Sequence, residues 1–196
     1  IEPNNAETLR IRGDTYLRLN NYNKSLSDLN KSLEIEPSNA DTLFIRGTTY
    51  GMLKKYNESI SDLNKSLEIE PNNADTLRIR GQTYRMLNKY NESLSDFDKS
   101  LEIEPNNAET LRIRGDTYLR LKNYNKSLLD LNRSLEIEPN NVDTLIIRGI
   151  TYRVLNKYNE SLSDLNKSLE IEPNNADALR IREETNRMLS KYNKSL

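Results

Sequence analysis

Apolar and small residues along this chain fall on short helical stripes separated by polar turns. In the first stretch, Leu9, Gly13, Tyr16 and Leu19 share one face at a 3.6-residue spacing. A second stripe follows at Ser25, Leu26, Leu29, Ser32 and Leu33. After Pro3, Asn5 predicts an N-cap, because its side chain accepts from an early backbone N–H, and Glu7 suits the positive helix start. Asn20-Asn21 predicts the turn, Asn23 the cap of the second helix, and Pro37 its end. No strand-like alternation occurs. The predicted unit is a pair of helices.

That unit repeats with a period of 34 residues, each copy opening Ile-Glu-Pro at Ile1, Ile35, Ile69, Ile103, Ile137 and Ile171. All 6 prolines share one column. Copies one and four differ only at Asn20/Lys122, Ser27/Leu129 and Lys31/Arg133, so the copy is the structural unit. The expected organisation is a single array over 1–196, with copies 1–34, 35–68, 69–102, 103–136, 137–170 and a partial 171–196.

One such pair has too little apolar surface to fold alone, so neighbours are expected to stack. Gly13, Gly47, Gly81, Gly115 and Gly149 stand mid-helix, where glycine costs about 1 kcal/mol against alanine, which predicts close approach by another helix. An arginine column (Arg12, Arg46, Arg80, Arg114, Arg148, Arg182) precedes an aspartate column (Asp28, Asp62, Asp96, Asp130, Asp164) by 16 residues. In an antiparallel hairpin these come out level, predicting a ladder of structural ion pairs.

The pattern Leu9-x2-Arg12-Gly13-x2-Tyr16, then Ser25-x3-Leu29 and Pro37, at this period, resembles the tetratricopeptide repeat along essentially the whole chain. Leucine replaces the usual first aromatic residue, arginine the next aliphatic one, and serine the typical alanine. The resemblance implies an all-α fold: a right-handed superhelical solenoid of stacked antiparallel helix-turn-helix hairpins. It also implies a scaffold that binds an extended peptide or partner helix in a concave groove lined by each first helix.

Comparison among the copies supports such a face independently. Four columns of the first helix vary while most others are fixed: Arg10/Phe44/Arg78/Arg112/Ile146/Arg180, Asp14/Thr48/Gln82/Asp116/Ile150/Glu184, Leu17/Gly51/Arg85/Leu119/Arg153/Arg187 and Arg18/Met52/Met86/Arg120/Val154/Met188. Their spacing puts them on one side of the helix, largely opposite the Leu9/Gly13/Tyr16 stripe. Candidate binding residues are therefore Arg10, Asp14, Phe44, Thr48, Met52, Arg78, Gln82, Arg85, Met86, Arg112, Asp116, Arg120, Ile146, Ile150, Arg153 and Val154. Phe44 with Met52, and Ile146 with Ile150 and Val154, form apolar stripes where the face should be wet, as at contact sites. Flanking arginines would favour acidic residues between two apolar anchors of the partner, although Glu7, Asp41, Asp75, Glu109, Asp143 and Asp177, three residues before them, partly neutralise that column. A carboxylate clamp, or an asparagine ladder on peptide backbone, is disfavoured because isoleucine (Ile11, Ile45, Ile79, Ile113, Ile147, Ile181) fills the expected asparagine column.

Composition narrows the chemistry further. The chain has no histidine and no cysteine, removing thiolate and imidazole catalysis, disulfides and ordinary zinc sites. Every glycine is isolated, so no phosphate loop exists, and carboxylates are interspersed with Lys and Arg. The expectation is a protein that is not an enzyme, with no cofactor and no metal. With 29 basic against 30 acidic residues, nothing suggests nucleic acid or membrane as partner. Asn-x-Ser sequons at Asn23, Asn30 and their equivalents are copied with the repeat into helices, so they are read as unused and the protein as cytoplasmic.

The chain opens mid-repeat without methionine, as expected of a segment of a longer array or a processed product. In the sixth copy Glu183, Asn186 and Ala178 replace glycine, tyrosine and threonine, suiting a terminal, solvent-facing copy, although Leu196 falls inside its expected second helix. Near-identical copies also allow end-to-end self-association, the alternative reading of function.

Overall fold

The computed structural model describes residues 5–194. Ile1, Pro3 and Leu196, invoked above, lie outside them. The described residues form 11 helices and no strand: α1 Ala6–Arg18, α2 Tyr22–Ile35, α3 Ala40–Met52, α4 Tyr56–Ile69, α5 Ala74–Met86, α6 Tyr90–Ile103, α7 Ala108–Arg120, α8 Tyr124–Ile137, α9 Val142–Val154, α10 Tyr158–Ile171 and α11 Ala176–Lys194. They fall into two compact units that divide between Pro105 and Asn106. The first holds the hairpins α1/α2, α3/α4 and α5/α6. The second holds α7/α8 and α9/α10, with α11 packed on α10. Each unit is a stack of helical hairpins.

Local chemistry fixes each helix. Asn5, Asn39, Asn73, Asn107 and Asn141 sit in extended backbone, and each accepts from the backbone N–H three residues on. The second helices begin differently from the expectation. Asn23 lies inside α2 and is not its cap; Asn21 is, accepting from Lys24 N–H at 3.5 Å. In α4, α6 and α10 a lysine (Lys55, Lys89, Lys157) holds the cap position without any side-chain bond. The reversal comes from the preceding residue: Asn20, Lys54, Asn88, Lys122 and Asn156 all have φ between 57° and 61°. This left-handed step turns the chain while the tyrosine after it starts the next helix.

Hydroxyl groups organise the interior. Ser32 donates to the carbonyl of Ala6 at 2.8 Å, and Ser66, Ser100 and Ser134 repeat the bond to Ala40, Ala74 and Ala108. Ser25 and Thr49 bond across successive copies at 3.2 Å, as do Ser59 with Thr83 and Ser127 with Thr151. These serines stand at the small-residue contacts with their polar groups satisfied, which removes the cost of burying them, whereas Ser93 Oγ in the same column as Ser25 is buried without a partner. Asp28 joins Leu29 in the buried face, whereas Leu26 is half-buried and Leu19, expected on the core stripe, is 68% exposed. Leu19 is the C-cap of α1, just past the end of the helix.

The ladder is present. Arg46 donates to both carboxylate oxygens of Asp62 at 2.7 and 2.8 Å and sends Nη1 back to Asn30 of the preceding copy at 2.9 Å. Arg80 does the same with Asp96 and Asn64, and Arg148 with Asp164 and Asn132. Arg12 and Arg114 hold Asp28 and Asp130 through two bonds each. The hydrogen bonds to these aspartates raise the pKa of Arg46, Arg80 and Arg148, against the opposing effect of burial. The Asn30 and Asn64 side chains, sequon residues on paper, are thereby structural acceptors between copies.

The sixth copy departs from the hairpin plan. α11 runs on through Ser190, the position of the left-handed turn in other copies, without a break. Its extension carries Tyr192 to an edge-on contact with Tyr158, ring centroids 6.0 Å apart, and Tyr158 is buried. No second helix begins there among the described residues. Glu183 and Asn186 are exposed, in keeping with their polar character.

Candidate functional site

In the first unit, the variable columns put Arg10 and Asp14 on α1, Phe44, Thr48 and Met52 on α3, and Arg78, Gln82, Arg85 and Met86 on α5. Of these only Met52 and Met86 are more than half exposed, each at 54%. In the second unit, Arg112, Asp116 and Arg120 lie on α7, and Ile146, Ile150, Arg153 and Val154 on α9, where Arg120 and Val154 are the exposed members. The constant framework therefore presents a partly open face on its first helices, with the open positions toward their C-terminal ends.

Ion pairing within this face is more extensive than the sequence indicated. Arg10 reaches Asp41 on α3 at 3.8 Å and Arg112 reaches Asp143 on α9 at 3.9 Å, so each ties its helix to the next first helix. Arg78 pairs with Asp75 at 2.7 Å, Arg120 with Asp116 at 3.1 Å and Arg153 with Glu184. Hydrogen bonds from Arg153 and then Arg180 hold the Glu184 carboxyl below the usual glutamate range. Arg78, Arg112, Arg120 and Arg153 thus carry their own counter-charges, which weakens the expected pull on acidic segments.

The apolar stripe of α9 also needs correction. Ile146 was expected in open water, yet it is 8% exposed within a cluster of Leu165, Leu169, Ala178 and Ile181, and Val142 and Ile150 pack against that cluster. Side chains in this column point into the space between α9 and α11. An arginine in this column carries its charged head to an acidic partner on the next first helix, as Arg10 and Arg112 do, whereas isoleucine has no polar end and stays in the gap. Ile146 and Ile150 therefore serve packing. Val154 alone of the three is exposed.

One depression gathers several expected residues. A cavity of about 320 Å³ opens between α3 and α5, lined by Thr48, Met52, Gln82, Arg85 and Met86 of the candidate set. Gly51, Lys54, Tyr56, Ile79 and Thr83 complete it. Phe44 and Arg78 lie on the same two helices but do not line it. Gly51 belongs to a variable column, and its lack of a side chain was the available signal. Lys54 and Tyr56 come from the turn and from the start of α4, which a search confined to first helices misses.

Sequence profiles of the tetratricopeptide repeat match residues 7–39, 40–73, 74–107, 108–141 and 142–175. No curated protein matches the chain significantly by sequence. Solved structures share its fold. PilW, titled a widely conserved type IV pilus biogenesis factor, superposes with a TM-score of 0.88 at 20% identity, over 94% of this chain and 86% of its own. PilF of Pseudomonas aeruginosa gives 0.84 at 17% identity, over 96% and 86%. YrrB, titled a TPR protein with an unusual peptide-binding site, gives 0.73 at 20% identity, over 93% and 94%. At these identities the likeness concerns the fold. Among the described residues no helix is long and apolar enough to cross a membrane.

Proposed function

Because the chain belongs to the tetratricopeptide repeat family, with profile matches tiling residues 7–175 without a gap, we propose that it is a non-catalytic protein-interaction scaffold whose first-helix face holds an extended peptide or partner helix. The observation that carries this reading is the concentration of sequence change. The copies keep the Gly, Ser, Arg and Asp columns that build the stack, and vary in four columns sharing one side of the first helix. In the structure that side is partly open and contains the depression between α3 and α5. A peptide-binding site named for YrrB, which shares the fold, fits the same role.

Affinity on such a surface comes from a few apolar anchors set in it, with charges at the rim adjusting rate and selectivity. Since most face arginines are already paired, the anchors matter more here than net attraction to acid. The test is selection of a displayed random-peptide library on the purified chain. Ligands are then measured against Gln82→Glu and Arg120→Glu on the first-helix face and Glu34→Lys and Glu68→Lys on second helices. Loss of binding confined to the first-helix variants supports the groove; loss confined to the second-helix variants overturns it.

End-to-end self-association draws on a different observation. Ile11 on α1 is 52% exposed, whereas its counterpart Ile45 on α3, within the same unit, is 7% exposed. Light scattering over a range of concentrations separates the readings, since stacking makes particle size grow with concentration.

A further inference from the structure

Gly51 is a glycine without a packing reason. A Cβ built on Gly13, Gly47, Gly81 or Gly115 falls within 2.9 Å of a neighbouring core side chain, so close approach accounts for those residues. A Cβ on Gly51 meets nothing nearer than Ser59 Oγ at 3.5 Å and Thr83 Oγ1 at 3.9 Å, ordinary contact distances. Its φ is not positive, so backbone geometry does not require glycine either. The same column carries Leu17, Arg85, Leu119, Arg153 and Arg187 in other copies, showing that the helix accepts large side chains there. Copy two thus keeps a residue that weakens its helix, and what it gains is the space beside it. Local rules broken without structural gain are characteristic of functional positions.

We propose that Gly51 opens an anchor pocket between α3 and α5 that receives one aromatic or large aliphatic side chain from a peptide with flanking acidic residues. This rests on the groove reading above and names its principal subsite. The cavity of about 320 Å³ has room for one large side chain. Met52 and Met86 stand exposed at its edges, and thioether side chains adapt to varied apolar shapes and make favourable contacts with aromatic rings. Ile79 adds apolar lining, and Gln82 a polar group able to meet a backbone or indole N–H. No carboxylate lines the cavity, and its lining includes the exposed Lys54, whose charge suits acidic residues flanking the anchor. Lys54 lies in the left-handed turn that follows α3, φ 59°. An apolar anchor beside acidic residues complements that lining.

The chain has 3 methionines, Met52 and Met86 at the pocket and Met188 on α11, so methyl-¹³C methionine NMR reads the site with an internal reference. The probe is a short synthetic peptide with one tryptophan between two Asp-Glu pairs, compared with its alanine counterpart and a lysine-flanked version. The expected result is saturable shifts of Met52 and Met86 with Met188 unmoved, absent with alanine and weaker with lysine flanks. In Gly51→Leu, affinity by fluorescence anisotropy should fall about ten-fold or more while helix content is kept and thermal stability rises. Loss of binding with gain of stability distinguishes a filled pocket from a damaged fold. Unmoved methionines, equal response to the alanine peptide, or full affinity in Gly51→Leu overturns the pocket. Anisotropy binding that survives Gly51→Leu but falls with Arg120→Glu overturns the pocket alone and leaves the groove standing. Methionine shifts that grow with protein concentration in the absence of peptide would assign the cavity to a second copy and likewise overturn the proposal.

Discussion

Gly47 and Leu63 approach so closely that a Cβ on Gly47 would lie 2.8 Å from Leu63 Cγ. Leu63 is fully buried and Ser59 O stands 3.2 Å away on the other side, so neither neighbour has room to yield. Four residues along the same helix, Gly51 has no such contact. Gly47→Ala is therefore expected to destabilise by about 1–3 kcal/mol through overpacking, outweighing its gain in helix propensity. Gly51→Ala is expected to stabilise by a few tenths to about 1 kcal/mol. Urea titration of the two variants checks this: equal effects of one sign would refute the distinction.

A second prediction concerns the three-way contact of Arg80 with Asp96 and Asn64. Asp96 is buried, and its removal leaves a guanidinium without the carboxylate it was shaped around. Asp96→Ala is expected to cost about 2–4 kcal/mol, and Asn64→Ala about 0.5–1.5 kcal/mol. Arg80→Met combined with Asp96→Leu should cost less than Asp96→Ala alone, because no charge is then left unpaired. A double mutant as damaged as the single one would show that the pair stabilises in its own right.

The repeat, the glycine contacts and the arginine–aspartate ladder were legible in the sequence because each rests on columns shared by the first five copies, and copying converts a weak local signal into a strong one. What was not legible depends on neighbours in space. Asn23 looked like a cap, but the left-handed residue at Asn20 lets α2 start earlier, at Tyr22. Ile146 looked exposed because its column is mostly arginine elsewhere, yet the gap between α9 and α11 takes an isoleucine whole. Partial neutralisation of the variable-face arginines by the acid three residues before each was legible, as in Arg78 with Asp75, but the pairing of Arg10 with Asp41 and Arg112 with Asp143 reaches the next first helix, beyond any one copy's pattern. The depression at Gly51 was invisible for a similar reason: three separate segments line it.

Acid should act on the end of the second unit. The pKa of Glu184 is lowered in the folded protein by its bonds to Arg153 and Arg180. A carboxyl with a depressed folded pKa contributes stability above its unfolded pKa and loses it as pH falls through the folded value. Glu184→Gln should therefore melt below the parent chain at neutral pH, with the gap closing as pH drops through and below about 4. High salt should narrow the same gap, since the cluster is open to solvent. A gap that is constant from neutral to acid pH would refute the assignment.

The last prediction separates packing from recognition within the variable face. Ile146→Asp places a carboxylate among Leu165, Leu169, Ala178 and Ile181, so it is expected to destabilise the second unit by about 3–5 kcal/mol. Ile150→Asp, half-buried against the same cluster, should follow in the same direction with smaller effect. Both should lower helix content on mild heating, and any loss of binding they cause would be secondary. Met52→Asp and Met86→Asp act at side chains that are more than half exposed, so they should leave melting almost unchanged, within about 0.5 kcal/mol. Their effect should appear in binding, as faster dissociation of ligands selected on the parent chain, because anchor contacts mainly set the off-rate. Arg120→Glu should instead alter the association rate and its salt dependence. Circular dichroism melts paired with stopped-flow binding on the same five proteins decide the matter: if Met86→Asp unfolds the chain, or Ile146→Asp leaves it intact, the division of this face into packing and recognition positions is wrong.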